Sequence, residues 1–126
     1  MKNILSELSR KRKERQFKKK VLKEINWTPK DMTETINHGW NLDSSIAIVV
    51  YYSTKRMIEF GCSYPPECTP EEWKEILQQI NEGMKIYLED KWFFDFIDNK
   101  KAYEEKKQKV DKALELIKEW FYTLWD

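Results

Sequence analysis

The chain is poor in residues that turn a backbone, with three Gly and four Pro in 126 positions. So few break points exclude a fold of many short strands and tight turns, and long regular segments are expected instead. Histidine is nearly missing, with His38 the single one, and only Cys62 and Cys68 offer thiols. A zinc site wants four ligands with its cysteines closer together than these two, and nothing marks either cysteine as a nucleophile. No metal, no cofactor and no catalytic residue is therefore expected, and the chain is read as a non-enzyme. Long apolar runs are absent too. The longest, Ile46 to Tyr52, is far too short to span a bilayer. Ile4-Leu5 is too short for the apolar core of a secretory leader, and basic residues follow it. The expectation is a cytoplasmic protein with reduced thiols and no membrane partner.

What the chain does have is aromatics and charge, with six each of Trp, Tyr and Phe. The formal net charge of +1 hides a division. Residues 2–23 carry ten Lys/Arg against Glu7 and Glu14, a net of +8, and residues 24–126 carry thirteen against twenty acids, a net of −7. The stretch L-S-R-K-R-K-E-R-Q-F-K-K-K concentrates the cations: Arg10, Lys11, Arg12, Lys13, Arg15, Lys18, Lys19 and Lys20. It lies in a first predicted helix over 3–26, with apolar positions at Ile4 and Leu8, then at Phe17, Val21, Leu22 and Ile25. The turns between carry charge alone. Such a helix can neutralise phosphates. Only Phe17 is interleaved, however, no nucleic-acid signature accompanies it, and the rest of the chain is acidic. A solvated face, or one docked on acidic protein, is the favoured reading, with nucleic acid as the alternative.

Further helices announce themselves by their starts. In W-T-P-K-D-M, Thr28 caps, Pro29 takes the first helical position and Asp31 the first turn, with Trp27 and Met32 placed to staple the entry and Gly39 to stop it. The segment D-S-S-I-A-I-V-V-Y-Y-S-T-K-R-M-I-E-F-G looks like a buried strand by propensity. It has no partner strand, and a lone strand leaves its backbone unsatisfied. It is therefore expected as a helix capped by Asp43 or Ser44, ended by Gly61, and packed through Ile46, Val49, Val50, Ser53, Met57 and Phe60. After the loop C-S-Y-P-P-E-C comes T-P-E-E-W-K-E-I-L, where Thr69 and Glu72 form a capping box around Pro70. Its stripe is Trp73, Ile76, Leu77, Ile80, Met84 and Tyr87. Gly83 inside it weakens the helix by roughly 1 kcal/mol against Ala, which a close helix crossing would explain. A last helix over about 101–124 repeats Tyr103, Val110, Ile117 and Leu124, with Ala113, Leu114, Trp120 and Phe121 beside them. The expected fold is all-α: a compact bundle of four to five helices, divided into a basic N-terminal helix over 1–26 and a single-domain helical bundle over 27–126.

Three places invite binding. In K-W-F-F-D-F-I-D, the residues Trp92, Phe93, Phe94, Phe96 and Ile97 cannot share one helix face, since neighbours point about 100° apart. They form either a broad core seam or an interface anchored by aromatics. Around H-G-W-N-L-D, Trp40 and Asp43 mark a helix start, where free N–H groups would attract an anion unless Asp43 simply caps it. Arg56 joins Trp40 as a candidate lining residue for a small ligand. The heptad of the last helix suits an intermolecular seam as well as an internal one, so a homodimer stays open.

The pieces W-N-L-D-x-x-I-A at 40–47, Y-P at 64–65, T-P-E-E-W-K-E-I-L at 69–77 and Y-T-L-W-D at 122–126 resemble a group of small phage-encoded proteins without an assigned activity. The likeness covers about residues 40–88 and 110–126. It omits the basic helix and the W-F-F-D-F insert, and departs at Tyr52, Ser53 and Thr54, where relatives have Pro-Arg-Leu. The resemblance implies a helical protein in which Trp40, Asp43, Tyr64, Pro65, Glu72, Trp73, Trp125 and Asp126 form a shared surface or core. A chain end frays unless something holds it, so Trp125 is expected to pack back on the bundle near Trp40. It also implies an origin in a phage. The shortage of catalytic groupings, beside an excess of aromatic anchors and a polarised charge, points to a protein in the host cytoplasm that binds a host component, either a defence protein or a small nucleotide signal. The alternative is an accessory protein touching DNA or the virion.

Overall fold

A computed structural model describes residues 2–25, 28–89 and 91–124, the side chains of 2, 3 and 91–94 excepted. The described residues are helical with short connections and hold no strand: α1 Lys2–Glu24, α2 Pro29–His38, α3 Leu42–Phe60, α4 Pro70–Leu88, α5 Lys91–Asp98 and α6 Lys100–Trp120, followed by a 3-10 turn Phe121–Thr123. None of these helices is long and apolar enough to cross a membrane. Among the described residues the α-helices number six, against the four to five expected. The aromatic insert forms α5, and Asn99 separates it from α6 by accepting a hydrogen bond from the Ala102 N–H at 3.2 Å.

The chain divides into two compact units, Met1–Trp40 and Asn41–Asp126. In the first, the Asp31 carboxylate accepts from the Thr28 N–H and hydroxyl at 2.8 and 2.9 Å, so the start of α2 is held locally. Gly39 ends α2 in the left-handed region, at φ 71°, and its N–H returns to the Thr35 carbonyl at 2.7 Å. That conformation costs a residue with a Cβ and costs glycine little. The buried Thr35 hydroxyl lies 2.7 Å from the Trp40 carbonyl and 3.1 Å from that of Asp31.

In the second unit α4 is central. α3 packs along one flank and α6 along the other, while α5 lies against α6. Both flanking helices run antiparallel to α4. Trp73 near its start meets Trp120 late in α6, and Gly83 near its end meets Ala113 earlier in α6. Across the other flank, the Asn81 amide donates to the Tyr51 carbonyl at 2.9 Å and the Thr54 hydroxyl at 3.1 Å. These bonds satisfy polar groups that burial would otherwise penalise. The core is Ala47, Ile48, Tyr51, Trp73, Leu77, Ile80, Met84, Val110, Ala113 and Leu116. One end closes over Cys68, Trp73 and Leu77, with Met57, Ile58, Cys62, Ile76, Trp120 and Leu124 against them. The α4 start is the expected capping box, with Thr69 Oγ1 and Glu72 N 3.1 Å apart and Glu72 Oε1 and Thr69 N at the same distance.

Two expectations for α3 are corrected. Its buried side is Ser45, Ala47, Ile48, Tyr51 and Thr54, whereas Ile46, Val49 and Phe60 are exposed. The helix is apolar nearly all round, so period alone did not select the side that faces α4. Nor do Asp43 or Ser44 cap it. The N-cap is Asn41, in the left-handed region at φ 53°, which Asn tolerates better than most residues.

Gly83 sits at the tightest point. A Cβ there would lie 2.3 Å from that of Ala113 and 2.8 Å from the Lys109 carbonyl oxygen, so backbone and not only a movable side chain is in the way. Gly to Ala in an ordinary helix interior gains about 1 kcal/mol. Here Gly83→Ala is expected to lose on the order of 1–3 kcal/mol, because α4 and α6 must part. Urea unfolding midpoints measure this, and a raised midpoint would contradict the crossing.

Candidate functional site

Because α3 and α6 both lean on α4, and among the described residues scarcely touch each other, a valley runs between them. Its walls are Ile46 and Ala47 on one side and Val110 and Leu114 on the other, and Met84 forms the floor. Ala47, Met84 and Val110 are core residues continued into the valley, whereas the rims are open, with Ile46 53% and Leu114 51% exposed. Leu42 and Val49 extend the exposed apolar surface along α3. The concavity holds about 280 Å³, at the low end for a small-molecule pocket.

One polar pair closes the valley. Asp43 in the first turn of α3 accepts a hydrogen bond from the Tyr87 hydroxyl near the end of α4. That bond, with the Ser44 N–H at the helix start, holds the Asp43 carboxyl below its ordinary value. The same bond, then burial and the Asp43 charge, push the Tyr87 phenol up to about 12. The valley is thus apolar along its length and carries a fixed negative charge at one end.

A larger polar groove of about 450 Å³ runs between α4 and α6, lined by Gln79, Glu82, Glu105, Gln108, Lys109 and Lys112. Lys109 and Glu82 pair across it at 2.9 Å with both side chains more than half exposed. Its charges offset one another and it has the make-up of a solvated surface, so the valley is the better candidate.

The residues expected to bind are distributed differently. Asp43 lines the valley. Arg56 does not; its guanidinium lies over the Phe60 ring at 5.4 Å. Trp40 belongs to the first unit, where it is exposed and stacks on His38 at 4.6 Å. Phe96 is exposed and meets Tyr103 edge-on at 5.0 Å, and Ile97 is exposed too, so this part of the insert is not core. The side chains of Trp92, Phe93 and Phe94 lie outside the described residues, as do Trp27, Trp125 and Asp126, so the Trp27 staple and the docking of Trp125 near Trp40 fall there as well. Arg10, Lys11, Arg12, Lys13, Arg15, Lys18, Lys19 and Lys20 are exposed along α1. Cys62 and Cys68 are free thiols, and burial, then the carboxylates of Glu72, Glu67 and Glu119, push Cys68 up. No group of three or more His, Cys, Asp or Glu able to hold a metal occurs among the described residues.

The valley is hidden in the sequence because Met84, Tyr87 and Val110 sit on stripes that have the pattern of core. Tyr87 and Asp43 lie 44 residues apart, with nothing local to join them. The usable signal was Leu114, which widens the α6 stripe beyond what one neighbour can cover. No family model, no curated protein and no solved structure matches the chain.

The pair makes its own prediction. A phenol raised when folded stabilises the protein below the unfolded value near 10, and that contribution fades as pH rises toward 12. A carboxyl lowered when folded stabilises above its ordinary value of 3.8 and loses this as pH falls. Ultraviolet titration of the wild type should show one tyrosine ionising near 12, and Asp43→Ala should move it down toward the ordinary value, with burial keeping part of the rise. An unchanged titration curve in the variant would break the assignment.

Proposed function

We propose that this chain is a non-enzymatic, phage-encoded binding protein that acts stoichiometrically on a component of the host cell. Its receptor surface is the valley between α3 and α6. The observation that carries the reading is an open apolar trough bounded by parallel helix walls and ending in the ionised Asp43. A trough of that form suits an amphipathic helix, whose apolar ridge at i, i+3/i+4 and i+7 fills such grooves. The charge at its end favours a Lys or Arg one turn beyond the ridge. A nucleotide signal is the poorer fit, since its phosphates would meet a carboxylate over an apolar floor. Between the two host partners expected from the sequence, a protein is therefore preferred. Origin in a phage rests on the resemblance of W-N-L-D, T-P-E-E-W and L-W-D to phage proteins.

The test uses the half-exposed rims. Ile46→Glu with Leu114→Glu should leave the fold intact, because partly exposed substitutions usually change stability little. A host protein retained by the wild-type chain should then be lost at least about 10-fold, as happens when central apolar anchors are removed. Equal retention by the folded double variant would refute the valley as receptor. Turnover of any substrate by the purified protein would refute the non-enzymatic reading.

A further inference from the structure

The cations of α1 are not spread evenly. At 100° per residue, Lys18, Lys11, Arg15, Lys19, Arg12, Lys20 and Lys13 fill an arc of roughly 220°. No acid falls within it, and all seven side chains are exposed. The three glutamates of the helix, Glu7, Glu14 and Glu24, occupy the remaining sector with Phe17 and the buried Val21. Arg10, the one cation of the run in that sector, pairs with Glu14 at 3.5 Å, and Lys11 at the border lies 3.9 Å from Glu7. Within residues 10–20, Glu14 and Phe17 thus share one side with Arg10, and the rest of the circumference carries only cations and Gln16. The unit that holds α1 carries eleven Lys/Arg against five acids, and the other unit twelve against seventeen.

The breadth of the arc selects the partner. A membrane or a flat acidic protein patch meets only one side of a helix, and cations beyond a half-turn of arc would gain nothing. A groove in duplex DNA is different. The major groove is about 12 Å wide, admits a helix of about 10–12 Å, and lines both flanks with phosphates. A lipid surface further asks for an apolar stripe beneath the cations. From Ser9 to Gln16 the helix has no apolar residue, and Ile4, Leu5 and Leu8 lie before the cationic run. The ten residues from Lys11 to Lys20 cover about 15 Å, alongside roughly nine phosphate charges at one per 1.7 Å of duplex. We therefore infer that α1 is a sequence-independent duplex-DNA interface that lies in the major groove and reads phosphates on both walls through Lys11–Lys20. This surface is separate from the valley and does not depend on it.

The experiment follows the full chain by fluorescence anisotropy with a 20-base-pair DNA duplex, single-stranded DNA of equal length, and vesicles containing anionic lipid, at several salt concentrations. Binding to the duplex is expected to weaken with a log–log salt slope near −5, the value for about five to six phosphates neutralised. Arg12→Glu, Arg15→Glu and Lys19→Glu together, at the centre of the arc, should weaken it by roughly 30-fold or more at 100 mM salt. Lys100→Glu, Lys101→Glu and Lys112→Glu, the same change of net charge on α6, should leave affinity within about 3-fold if the arc and not total charge is read. Should the first triple variant lose helix content by circular dichroism, the Gln versions of the same positions should still weaken binding in the same direction. No binding at low salt, equal loss from both triple variants, or equal or tighter binding to single strands or vesicles would overturn the inference.

Discussion

The structure of the larger unit depends on how closely α4 and α6 approach at Gly83. With no side chain there, the α4 backbone comes within reach of the Lys109 carbonyl and the Ala113 methyl. That contact fixes the position of the α6 wall carrying Val110 and Leu114. On the opposite flank the spacing is set by a different device. Asn81 reaches across to the α3 carbonyl of Tyr51 and the hydroxyl of Thr54, pinning α3 in register as well as in distance. A steric constraint on one side and a hydrogen-bonded one on the other hold two helices against a third without bringing them together. The valley is the space this leaves.

The two ends of the unit then differ for a plain reason of size. Toward the α4 start, Trp73 and Trp120 pack edge-to-face, and the loop from Cys62 to Cys68 folds over them, so bulky groups close the gap. Toward the α4 end the facing residues are Ala47, Met84 and Val110, which are too small or too flexible to reach across. Apolar rims at Ile46 and Leu114 are left half in water. With Leu42 and Val49 they form exposed apolar surface along the valley rather than scattered single residues. Asp43 and Tyr87 cap the open end at small energetic gain, because an exposed pair contributes little to stability. They make the two ends of the valley electrostatically unequal, with the ionised Asp43 at one of them.

Much of this was legible in the chain, and the illegible part has physical causes. Starts governed by neighbours three residues apart were readable: Thr28 with Asp31, and Thr69 with Glu72. So was the helical nature of 42–60, once a strand without a partner was ruled out. Gly83 was readable as a crossing because nothing else justifies a glycine on an apolar stripe. The buried side of α3 was not, since a helix with Ile46, Ile48, Val49, Val50 and Tyr51 in sequence offers several apolar faces, and only its neighbour decides among them. The cap of α3 is not legible because Asn41, Asp43 and Ser44 are comparable N-caps by preference; the Asp43 carboxylate serves Tyr87, and Asn41 turns the chain instead. The break at Asn99 was present as a local capping signal but was masked by the aromatic run before it.

The rims of the trough between α3 and α6 stand open to solvent, with Ile46 and Leu114 half exposed. Methyl-resolved NMR with a soluble nitroxide reads that exposure residue by residue. The account predicts strong relaxation of the Ile46 and Leu114 methyls, weaker effects at Val110, and none at Leu77 and Ile80, which are fully buried. If the Ile46 and Leu114 methyls are as protected as those of Leu77 and Ile80, the trough is filled in solution and the account fails.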